Sequence, residues 1–413
     1  MAQQRGKVVL AHISTAPEAL YCFLCGQARY MASRGLQVHG VCSGGELLDQ
    51  FCEREGARGH VVDMAREIEP IRDLGALVRM IRTLRSLRPD VVHTHTAKAG
   101  LLGMVAAWLL RVPVRVHHIH GLRFVTLRGL RRRIVSLCEK LPCLLAHQVL
   151  CVSHSGRQVA IDHGLCPPDK VKVLLGGSIN GVDALGRFNP DSMPAGTREA
   201  TRDKHGIPAD ARVIGFVGRL VRDKGIAELT AAWQSLRERF PTSHLLLVGP
   251  FEEGDAVPTD IREALQADDR VHPIGQDYDT PALYLAMDVL ALPTYREGLP
   301  LVPLEASAMG LAVVATRVPG CVDVVRDKVT GALVPPGDSE ALCEAIAMYL
   351  DAPALGAAHG RAGRERMLAQ FGQEAIWQAT YDEYARLLKG RGLPAPDSAP
   401  QAEGTPAAEP GRE

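Results

Sequence analysis

The sequence has no long uninterrupted apolar run and no apolar core near its start. The nearest candidate, Leu101 to Leu110, is about half the roughly 20 residues needed to cross a bilayer, and it ends at Arg111. Residues 1–7 lead directly into a short apolar run at Val8–Ile13, without the features of a signal peptide. We therefore expect a cytoplasmic protein with no membrane-spanning segment.

The sequence also lacks the paired cysteine spacing of a disulfide framework. Its ten cysteines are scattered, which fits reduced and mostly buried thiols. Cys22 and Cys25 form a CxxC, but a thioredoxin-like redox domain would account for only a fraction of the chain. No second cysteine pair accompanies it, and His93 and His95 are predicted to pack on one face of a strand. We expect neither a redox site nor a bound metal.

The net charge of zero conceals an asymmetry between the two halves. Residues 1–190 contain 25 Lys and Arg against 14 Asp and Glu, whereas residues 191–413 contain 22 against 33. Stacking aromatics and nucleic-acid motifs are missing, so we expect no nucleic-acid partner. An anionic membrane leaflet or a lipid-linked phosphate fits the basic half better, and a solvated charged face is the alternative. The arginines concentrate before the next acid, Glu139, at Arg123, Arg128, Arg131, Arg132 and Arg133.

Short β-branched runs alternate with longer amphipathic runs, which predicts βα units with parallel sheets. The predicted strands of the first half are Val8–Ile13, Val38–Cys42, His60–Asp63, Val91–His95, Val114–His118, Val149–Val152 and Val171–Leu174. Those of the second half are Val213–Val217, His244–Val248, Val271–Ile274, Asp288–Leu292, Ala312–Ala315 and Gly331–Val334. The pattern predicts two open α/β domains in tandem, each binding ligands at the carboxyl ends of its strands.

Composition suggests where the domains begin and end. We predict an N-terminal Rossmann-like domain at 1–190, a Pro- and Thr-containing linker at 191–211 and a C-terminal Rossmann-like domain at 212–370. A helix at 371–389 follows, and the Pro-, Ala- and Glu-rich segment 390–413 is predicted to be a disordered tail. Two such domains facing each other would enclose a cleft.

The second domain opens with a strand, a glycine turn and a predicted helix that begins near Lys224. Gly218 lets the backbone approach a ligand, and a helix N-terminus attracts anions. Arg219 can fork onto phosphate oxygens, and Lys224 supplies a point charge. Positive residues are unfavourable at a helix start unless an anion is bound. The segment is therefore predicted to bind phosphate, with a charged surface turn as the alternative.

Two carboxylates, Glu297 and Glu305, bracket a turn and a helix start that contain no other acid. This arrangement suits a ligand with hydroxyls at both ends and negative charge between them, such as a nucleotide-diphospho-sugar. The N–H groups of Gly298 and Leu299 precede the helix and could meet the sugar or a phosphate. A glycosidase pair is the rival interpretation, and it requires no phosphate-binding residues.

The run from Pro293 to Asp338 resembles the signature of glycosyltransferase family 4, and the resemblance extends over nearly the whole chain. Residues 91–100, which contain the sequence His-Thr-His-Thr, and His117–Gly121 resemble the bacterial subgroup that builds capsules, exopolysaccharides and lipid-linked oligosaccharides. Residues 181–188 match the interdomain segment of the family. The resemblance implies the GT-B fold, with the C-terminal helix crossing back to the N-terminal domain, and retaining, metal-independent chemistry without a cofactor.

Carried over to this sequence, the family pattern assigns a role to each matching residue. Arg219 and Lys224 would hold the donor diphosphate, and Glu297 and Glu305 would bind the donor sugar and the ribose. Gly218, Gly298 and Leu299 would complete the donor site through their backbones. His120 would lie near the reacting centre, although a packing role is the alternative. The first βα loop, Ser14–Tyr21, lacks the Gly-Gly pair of many family members, which leaves the acceptor side less defined.

The resemblance thus predicts a retaining enzyme that moves a hexose from a nucleoside diphosphate sugar, most simply a UDP-sugar, to a growing glycan. The acceptor would be a glycan or a polyprenyl-diphosphate-linked glycan. Arg128, Arg131, Arg132 and Arg133 would serve the acceptor side or bind an anionic membrane, which would place the enzyme on the inner face of the plasma membrane. A nucleotide-sugar epimerase of the same fold and a non-catalytic glycan-binding protein are the alternatives.

Overall fold

The computed structural model describes residues 7–65 and 69–395. The predicted tail, 390–413, lies outside the described residues from 396 onward. The predicted domain limits at 190, 211 and 370 stay predictions.

Within the described residues, thirteen strands form two parallel sheets. The first sheet contains β1 (Val8–Ile13), β2 (Leu36–Cys42), β3 (Arg58–Val61), β4 (Val91–Thr94), β5 (Val114–Ile119), β6 (Gln148–Cys151) and β7 (Val171–Lys172). The second contains β8 (Arg212–Val217), β9 (Ser243–Val248), β10 (Val271–Gly275), β11 (Val289–Leu292), β12 (Ala312–Thr316) and β13 (Gly331–Val334). Their orders are β3-β2-β1-β4-β5-β6-β7 and β10-β9-β8-β11-β12-β13.

Helices connect the strands in both halves of the chain. The first half contains α1 (Pro17–Phe23), α2 (Gln27–Ser33), α3 (Glu46–Glu55), α4 (Pro70–Leu87), α5 (Ala97–Leu109), α6 (Gly129–Leu145) and α7 (His154–Asp162). The second contains α8 (Thr197–Lys204), α9 (Ile226–Arg239), α10 (Thr259–Ala267), α11 (Pro281–Ala286), α12 (Leu301–Ala308), α13 (Cys321–Val324), α14 (Ser339–Asp351), α15 (Pro353–Gln370) and α16 (Gln373–Lys389). Short 3-10 turns lie at Arg123–Thr126, Pro190–Ser192, Arg222–Lys224 and Glu253–Asp255.

Five of the described strands are buried along their whole length. Every residue of β4, β6, β9, β11 and β12 is buried. Continuous apolar runs of this kind are typical of parallel sheets, because the crossover helices cover both faces. In the second sheet, the strand order reverses between β8 and β11, so the loops after these strands meet at the carboxyl edge where such sheets bind ligands.

The described residues divide into two compact units. The first takes the residues up to His117, Leu145–His147 and the residues from Trp377 onward. The second takes His118–Leu144 and Gln148–Ile376. Within the first unit, the hydroxyl of Tyr384 lies 2.5 Å from Nδ1 of His93. The C-terminal helix therefore returns to the N-terminal part of the chain, which confirms that element of the predicted fold.

The segment 191–211, predicted as a linker, contains α8 and belongs to the second unit. Arg202 on α8 is only 2% exposed, and its guanidinium donates hydrogen bonds to the carbonyls of Ala286 and Ala211 and to the Asp288 carboxylate. Polar contacts to distant carbonyls hold this helix, and such contacts leave no apolar periodicity in the sequence.

No single helix in ranges 7–65 and 69–395 is long and apolar enough to cross a membrane. The pair α14 and α15 reaches that length and composition only when its two helices, bent by 102°, are taken together. All ten cysteines lie in the described ranges, and none forms a disulfide.

Candidate functional site

Two loops of the second unit, after β8 and after β11, pack directly against each other. Gly225 has a φ of 72°, and a Cβ at this position would lie 2.0 Å from the carbonyl oxygen of Pro293. The Asp223 carbonyl accepts a hydrogen bond of 2.9 Å from the Tyr295 N–H and one of 3.1 Å from the Thr294 hydroxyl. Only glycine allows this approach, and it brings the residues that flank Gly225 beside those that follow β11.

The approach joins two predicted site residues in an ion pair. The ammonium of Lys224 donates a hydrogen bond to Oε1 of Glu297, and the two side chains are 19% and 11% exposed. A second pair lies next to the first, where the Arg296 guanidinium donates to the Asp223 carboxylate at 2.5 Å. The predicted cation and the predicted sugar-binding acid therefore form one cluster of charges.

The turn after Glu297 is packed against the end of β5. A Cβ at Gly298 would lie 1.3 Å from the carbonyl oxygen of His120, so this position requires glycine. The Gly298 carbonyl accepts a hydrogen bond of 2.7 Å from the Ser153 hydroxyl. In the part of the chain that the structure describes, the N–H groups of Gly298 and Leu299 donate no hydrogen bond. Two half-buried or buried donors thus precede α12, an arrangement that attracts an anion or a hydroxyl.

The backbone of His120 contacts this turn, because its carbonyl oxygen faces Gly298. Burial lowers the pKa of its imidazole to about 4, so the ring is neutral at pH 7. Its ring centroid lies 5.0 Å from that of His118. A neutral imidazole can accept or donate a hydrogen bond but contributes no fixed positive charge.

Arg219 is paired separately from the Lys224–Glu297 cluster. Its guanidinium donates to the Glu252 carboxylate at 2.9 Å, and its side chain is half exposed. Gly218 before it has a φ of 144°, and a Cβ at Gly249 would lie 2.0 Å from the Gly218 carbonyl oxygen. The loops after β8 and β9 therefore touch at two glycines, and Arg219 extends from that contact with its charge accessible to solvent.

Glu305 lies on α12 and pairs with a tyrosine. Its carboxylate accepts a hydrogen bond of 2.8 Å from the Tyr284 hydroxyl, which is itself buried. Burial raises the pKa of Glu305 to about 7, although the Tyr284 hydrogen bond and the Arg187 charge act in the opposite direction. This carboxyl can therefore change its charge near neutral pH.

The remaining predicted residues lie apart from the cluster in their contacts. Arg128, Arg131, Arg132 and Arg133 are exposed, the last three on α6. The guanidinium carbon of Arg132 lies 5.8 Å from the ring centroid of Phe124. The contacts described for these arginines do not include the residues of the Lys224–Glu297 and Asp223–Arg296 ion pairs.

An apolar cavity borders the cluster on the side of β5 and α7. It is lined by Ile119, Gly121, Leu122, Val125, Cys151, Val152, Ser153, Gly156, Val159, Tyr295, Arg296, Glu297, Gly298 and Pro319. Among the described residues that line it, the charged ones are Arg296 and Glu297. The cavity therefore combines a mainly apolar lining with two charged residues.

Four residues of the site are not identified by the sequence reasoning. Ser153 holds the Gly298 carbonyl, Arg296 pairs with Asp223, Glu252 pairs with Arg219, and Tyr284 pairs with Glu305. Ser153 follows a buried strand and caps α7, which is a local signal. The other partners lie far away in the sequence, so no spacing pattern could reveal them.

In the first unit, three buried histidines gather near the ends of β1 and β4. His12, His93 and His95 place ring nitrogens within 4.8 Å of one another. Nδ1 of His12 lies 2.9 Å from Nε2 of His95, and His93 bonds to Tyr384. Burial lowers the pKa of His12 to about 3. The predicted packing of His93 and His95 agrees with these hydrogen bonds, and the expected lack of a metal stays a prediction.

Comparison with known families matches both halves of the chain. Residues 197–366 match the family described as glycosyl transferases group 1, and residues 23–177 match the glycosyl transferase 4-like domain. The fold is shared with the crystal structure of Anabaena HepE in complex with UDP-glucose, with a TM-score of 0.76 and 20% identity over 92% of this chain and 99% of that one. Sucrose-phosphate synthase from Thermosynechococcus elongatus gives a TM-score of 0.75 and 24% identity over 93% and 100%.

Curated relatives extend over most of the chain. The capsular polysaccharide biosynthesis glycosyltransferase CapM of Staphylococcus aureus is 31% identical over 364 residues, which are 88% of this chain and 93% of CapM. The UDP-Gal:alpha-D-GlcNAc-diphosphoundecaprenol alpha-1,3-galactosyltransferase of Escherichia coli is 25% identical over 85% of this chain and 90% of that enzyme. The chain therefore belongs to the group 1 glycosyltransferases and is a glycosyltransferase with the GT-B fold and a family 4-like N-terminal region.

Proposed function

We propose that this glycosyltransferase moves a hexose, with retention, from a UDP-sugar to a lipid-linked glycan in cell-surface polysaccharide synthesis. The observation that carries the proposal is the cluster of Lys224, Glu297 and the N–H groups of Gly298 and Leu299 at the N-terminus of α12, which donate no hydrogen bond within ranges 7–65 and 69–395. The cluster offers a cation, a carboxylate and two backbone donors to one ligand. The similar proteins favour a uridine nucleotide, since the name of the Escherichia coli relative gives UDP-Gal and the HepE structure contains UDP-glucose.

In this proposal, the donor diphosphate binds beside the Lys224–Glu297 pair and replaces Glu297 as the hydrogen-bond acceptor of the Lys224 ammonium. Glu297 is thereby released to accept hydrogen bonds from sugar hydroxyls, while Arg219 reaches the diphosphate from the loop after β8. Glu305 binds the ribose from the other end of the same segment. The ion pair keeps both side chains extended toward the donor before it binds, which lowers the entropy lost on binding.

Transfer breaks the bond between the anomeric carbon and the diphosphate oxygen and forms a bond from that carbon to an acceptor hydroxyl oxygen. The acceptor proton leaves with the nucleoside diphosphate. Negative charge grows on the departing diphosphate, where the charges of Lys224 and Arg219 and the N–H groups before α12 stabilise it. In the single displacement proposed, retention requires the acceptor to attack on the face that the leaving group vacates. Neutral His120 contributes hydrogen bonding near this centre and no charge.

The acceptor belongs to the same proposal. The Escherichia coli relative acts on a diphosphoundecaprenol-linked sugar, and CapM acts in capsular polysaccharide biosynthesis. We extend this acceptor class to the present enzyme and place it in the cytoplasm, at the inner face of the plasma membrane. Arg128 and the arginines of α6 would contact the anionic acceptor or the leaflet.

A thermal-shift screen with nucleotide sugars, followed by calorimetry with UDP, tests the donor assignment. We expect UDP-sugars to raise the melting temperature, and Arg219→Gln to weaken UDP binding at least about tenfold. The neighbouring Arg222, which is exposed and bonds to the Ala256 carbonyl, provides the matched control Arg222→Gln with unchanged affinity. Equal affinity in both variants would remove Arg219 from the donor site.

Product analysis by NMR separates transfer from the rival reactions. Incubation with a UDP-sugar alone and then with a polyprenyl-diphosphate-linked acceptor should give a new glycosidic bond only in the second case. An altered nucleotide sugar without acceptor would identify an epimerase instead. No reaction and no nucleotide binding would favour a glycan-binding protein.

A further inference from the structure

Helix α6 presents a row of apolar side chains to solvent. Leu130, Ile134, Leu137 and Leu144 are all exposed, and Leu130 and Leu137 keep 72% and 67% of their surface accessible. Their spacing of three, four and seven residues places them on one face of the helix. We call these four residues the apolar stripe. Single exposed leucines are ordinary, but a contiguous row along a helix marks an interaction surface.

The opposite face of α6 already supplies the packing that the helix needs. Glu139, Pro142 and Cys143 are buried there. The Glu139 carboxylate accepts a 2.8 Å hydrogen bond from the Arg123 N–H, which fixes the preceding 3-10 turn to the helix. The apolar stripe is therefore not required to attach α6 to its own unit, and its exposure needs another explanation.

Basic side chains border the stripe on both sides. At 100° per residue, Arg131 lies roughly 100° from Leu130 in one direction, and Arg133 and Lys140 lie roughly 60–80° away in the other. No Asp or Glu occurs from residue 91 to residue 138, and Glu139 points into the protein. An apolar row with a cationic border and no exposed acid complements an anionic lipid surface, where acyl chains lie below phosphate groups.

We propose that α6 lies in the plane of an anionic membrane surface, with the apolar stripe inserted among the acyl chains and its bordering cations on lipid phosphates. This proposal rests on the proposed function for its purpose, because a lipid-linked acceptor is presented at such a surface. Burial of the apolar side chains among the acyl chains adds hydrophobic binding free energy to the attraction between the cations and the lipid phosphates. Association therefore survives added salt in part, whereas attraction by charge alone is screened.

The surface next to α6 leads toward the candidate active site. Val125, in the turn before the helix, is 43% exposed and also lines the apolar cavity that Glu297 and Gly298 border. Leu122 lines the same cavity. An inserted α6 would thus hold Val125 and the cavity that it lines close to the plane from which a lipid-linked acceptor extends.

Vesicle flotation tests the insertion directly. The stripe variant, Leu130→Ser with Ile134→Ser and Leu137→Ser, should bind vesicles of phosphatidylcholine and phosphatidylglycerol at least about tenfold more weakly than the wild type. Its remaining binding should disappear at high salt, whereas part of the wild-type binding persists. Wild-type affinity in the stripe variant would overturn the proposal.

Helix α4 supplies a matched control. Ile71, Leu74 and Val78 are also exposed and four arginines lie on the same helix, so α4 tests whether any exposed apolar and basic helix binds; unlike the exposed part of α6, it also carries an acid, Asp73, which pairs with Lys98 at 2.7 Å. Replacing these three apolar residues by serine should leave vesicle binding within about twofold of the wild type, as expected for surface substitutions. An equal loss in the α4 variant would assign the effect to general hydrophobicity and overturn the role of α6.

A depth measurement separates insertion from docking by charge. Leu137→Trp should give tryptophan fluorescence that brominated acyl chains quench beyond the wild-type background. A triple variant, Arg131→Gln with Arg132→Gln and Arg133→Gln, should bind vesicles without a preference for phosphatidylglycerol. Absence of extra quenching would show that charge alone docks the protein. If sedimentation shows that the wild type is a dimer and the stripe variant a monomer, the apolar stripe binds a second copy of this chain instead of a membrane.

The donor assignment can fail independently. UDP-sugar thermal shifts of the stripe variant in solution should equal those of the wild type, which also shows that the variant is folded. A wild type that binds vesicles but no nucleotide sugar would contradict the proposed function and leave the membrane assignment standing.

Discussion

The Cα of Gly298 faces the carbonyl oxygen of His120 so closely that a methyl group at position 298 would lie 1.3 Å from that oxygen. Because the obstacle is backbone, no rotamer change relieves it. Gly298→Ala should therefore shift the turn, lower the free energy of unfolding by about 1–3 kcal/mol and abolish most transfer activity. Denaturant unfolding and a transfer assay measure the two effects.

Gly254 is the control for this substitution, since nothing lies within 4 Å of a Cβ added there. Gly254→Ala should leave stability within about 0.5 kcal/mol of the wild type and preserve activity. Equal behaviour of the two variants would mean that the turn at Gly298 can move freely.

The Lys224–Glu297 ion pair gives a second prediction. Lys224→Met should weaken UDP binding at least about tenfold, because a charged hydrogen-bond donor to the diphosphate is lost. Glu297→Gln should reduce transfer strongly while changing UDP affinity much less, because its proposed contact is with the sugar. Calorimetry with UDP and transfer rates distinguish the two roles, and exposed Lys204, replaced by Met, is the control.

The double variant then measures the coupling between the two residues. Since both side chains are less than one-fifth exposed, we expect a coupling of about 0.5–3 kcal/mol in stability without ligand. Additive effects on stability would mean that the pair contributes little before the donor binds.

The architecture was accessible from sequence because it depends on local patterns. The predicted β1 and β13 coincide with the observed strands, and the other predicted strands differ from the observed ones at their ends. The approach of Gly225 to Pro293 depends on two segments far apart in the chain, so the pairing of Lys224 with Glu297 could not be predicted. The sequence indicated separate roles for these residues, whereas the structure joins them.

Polar contacts between distant residues are the main features that sequence reasoning missed. Helix α8 lies where a linker is predicted, since Arg198 and Arg202 hold it through Asp288 rather than through an apolar face. Arg296 and Ser153 likewise acquire their roles from contacts with Asp223 and with a backbone carbonyl. The apolar stripe escaped notice for another reason, because whether a leucine on a helix is buried or exposed depends on what covers it.

Glu139 predicts how stability depends on pH. Burial raises the pKa of its carboxyl from 4.5 to about 7, although the backbone N–H groups of Arg123 and Phe124 and the Arg296 charge favour the ionised form. The folded state therefore binds a proton more tightly than the unfolded chain does. This contribution is present in full below pH 4.5 and is lost as the pH rises through 7.

Glu139→Gln keeps an acceptor for the Arg123 N–H and removes the titration. The stability of the wild type relative to this variant should fall between pH 4.5 and 7, by about 3 kcal/mol at most, and should then level off. Urea unfolding across this range measures the difference. A constant difference across the range would contradict a buried carboxyl that titrates near neutrality.

Glu305 should make donor binding depend on pH in the opposite direction. Burial raises its pKa to about 7, and the Tyr284 hydroxyl donates to it. A ribose hydroxyl is best held by the ionised carboxylate, which accepts hydrogen bonds at both oxygens. Donor binding should therefore lower this pKa, and affinity for a UDP-sugar should rise as the pH increases from about 5.5 to 7.5, across the range in which this carboxyl ionises.

Glu305→Gln provides the comparison, because it keeps the shape of the side chain and one acceptor oxygen. Its affinity for the UDP-sugar should be lower than that of the wild type at pH 7.5 and should lose most of the dependence on pH. The UDP phosphates and Glu139 also titrate near this range, but their contributions are common to both proteins and cancel in the ratio of affinities. A ratio that stays constant with pH would show that the Glu305 carboxyl does not bind the ribose in its ionised form.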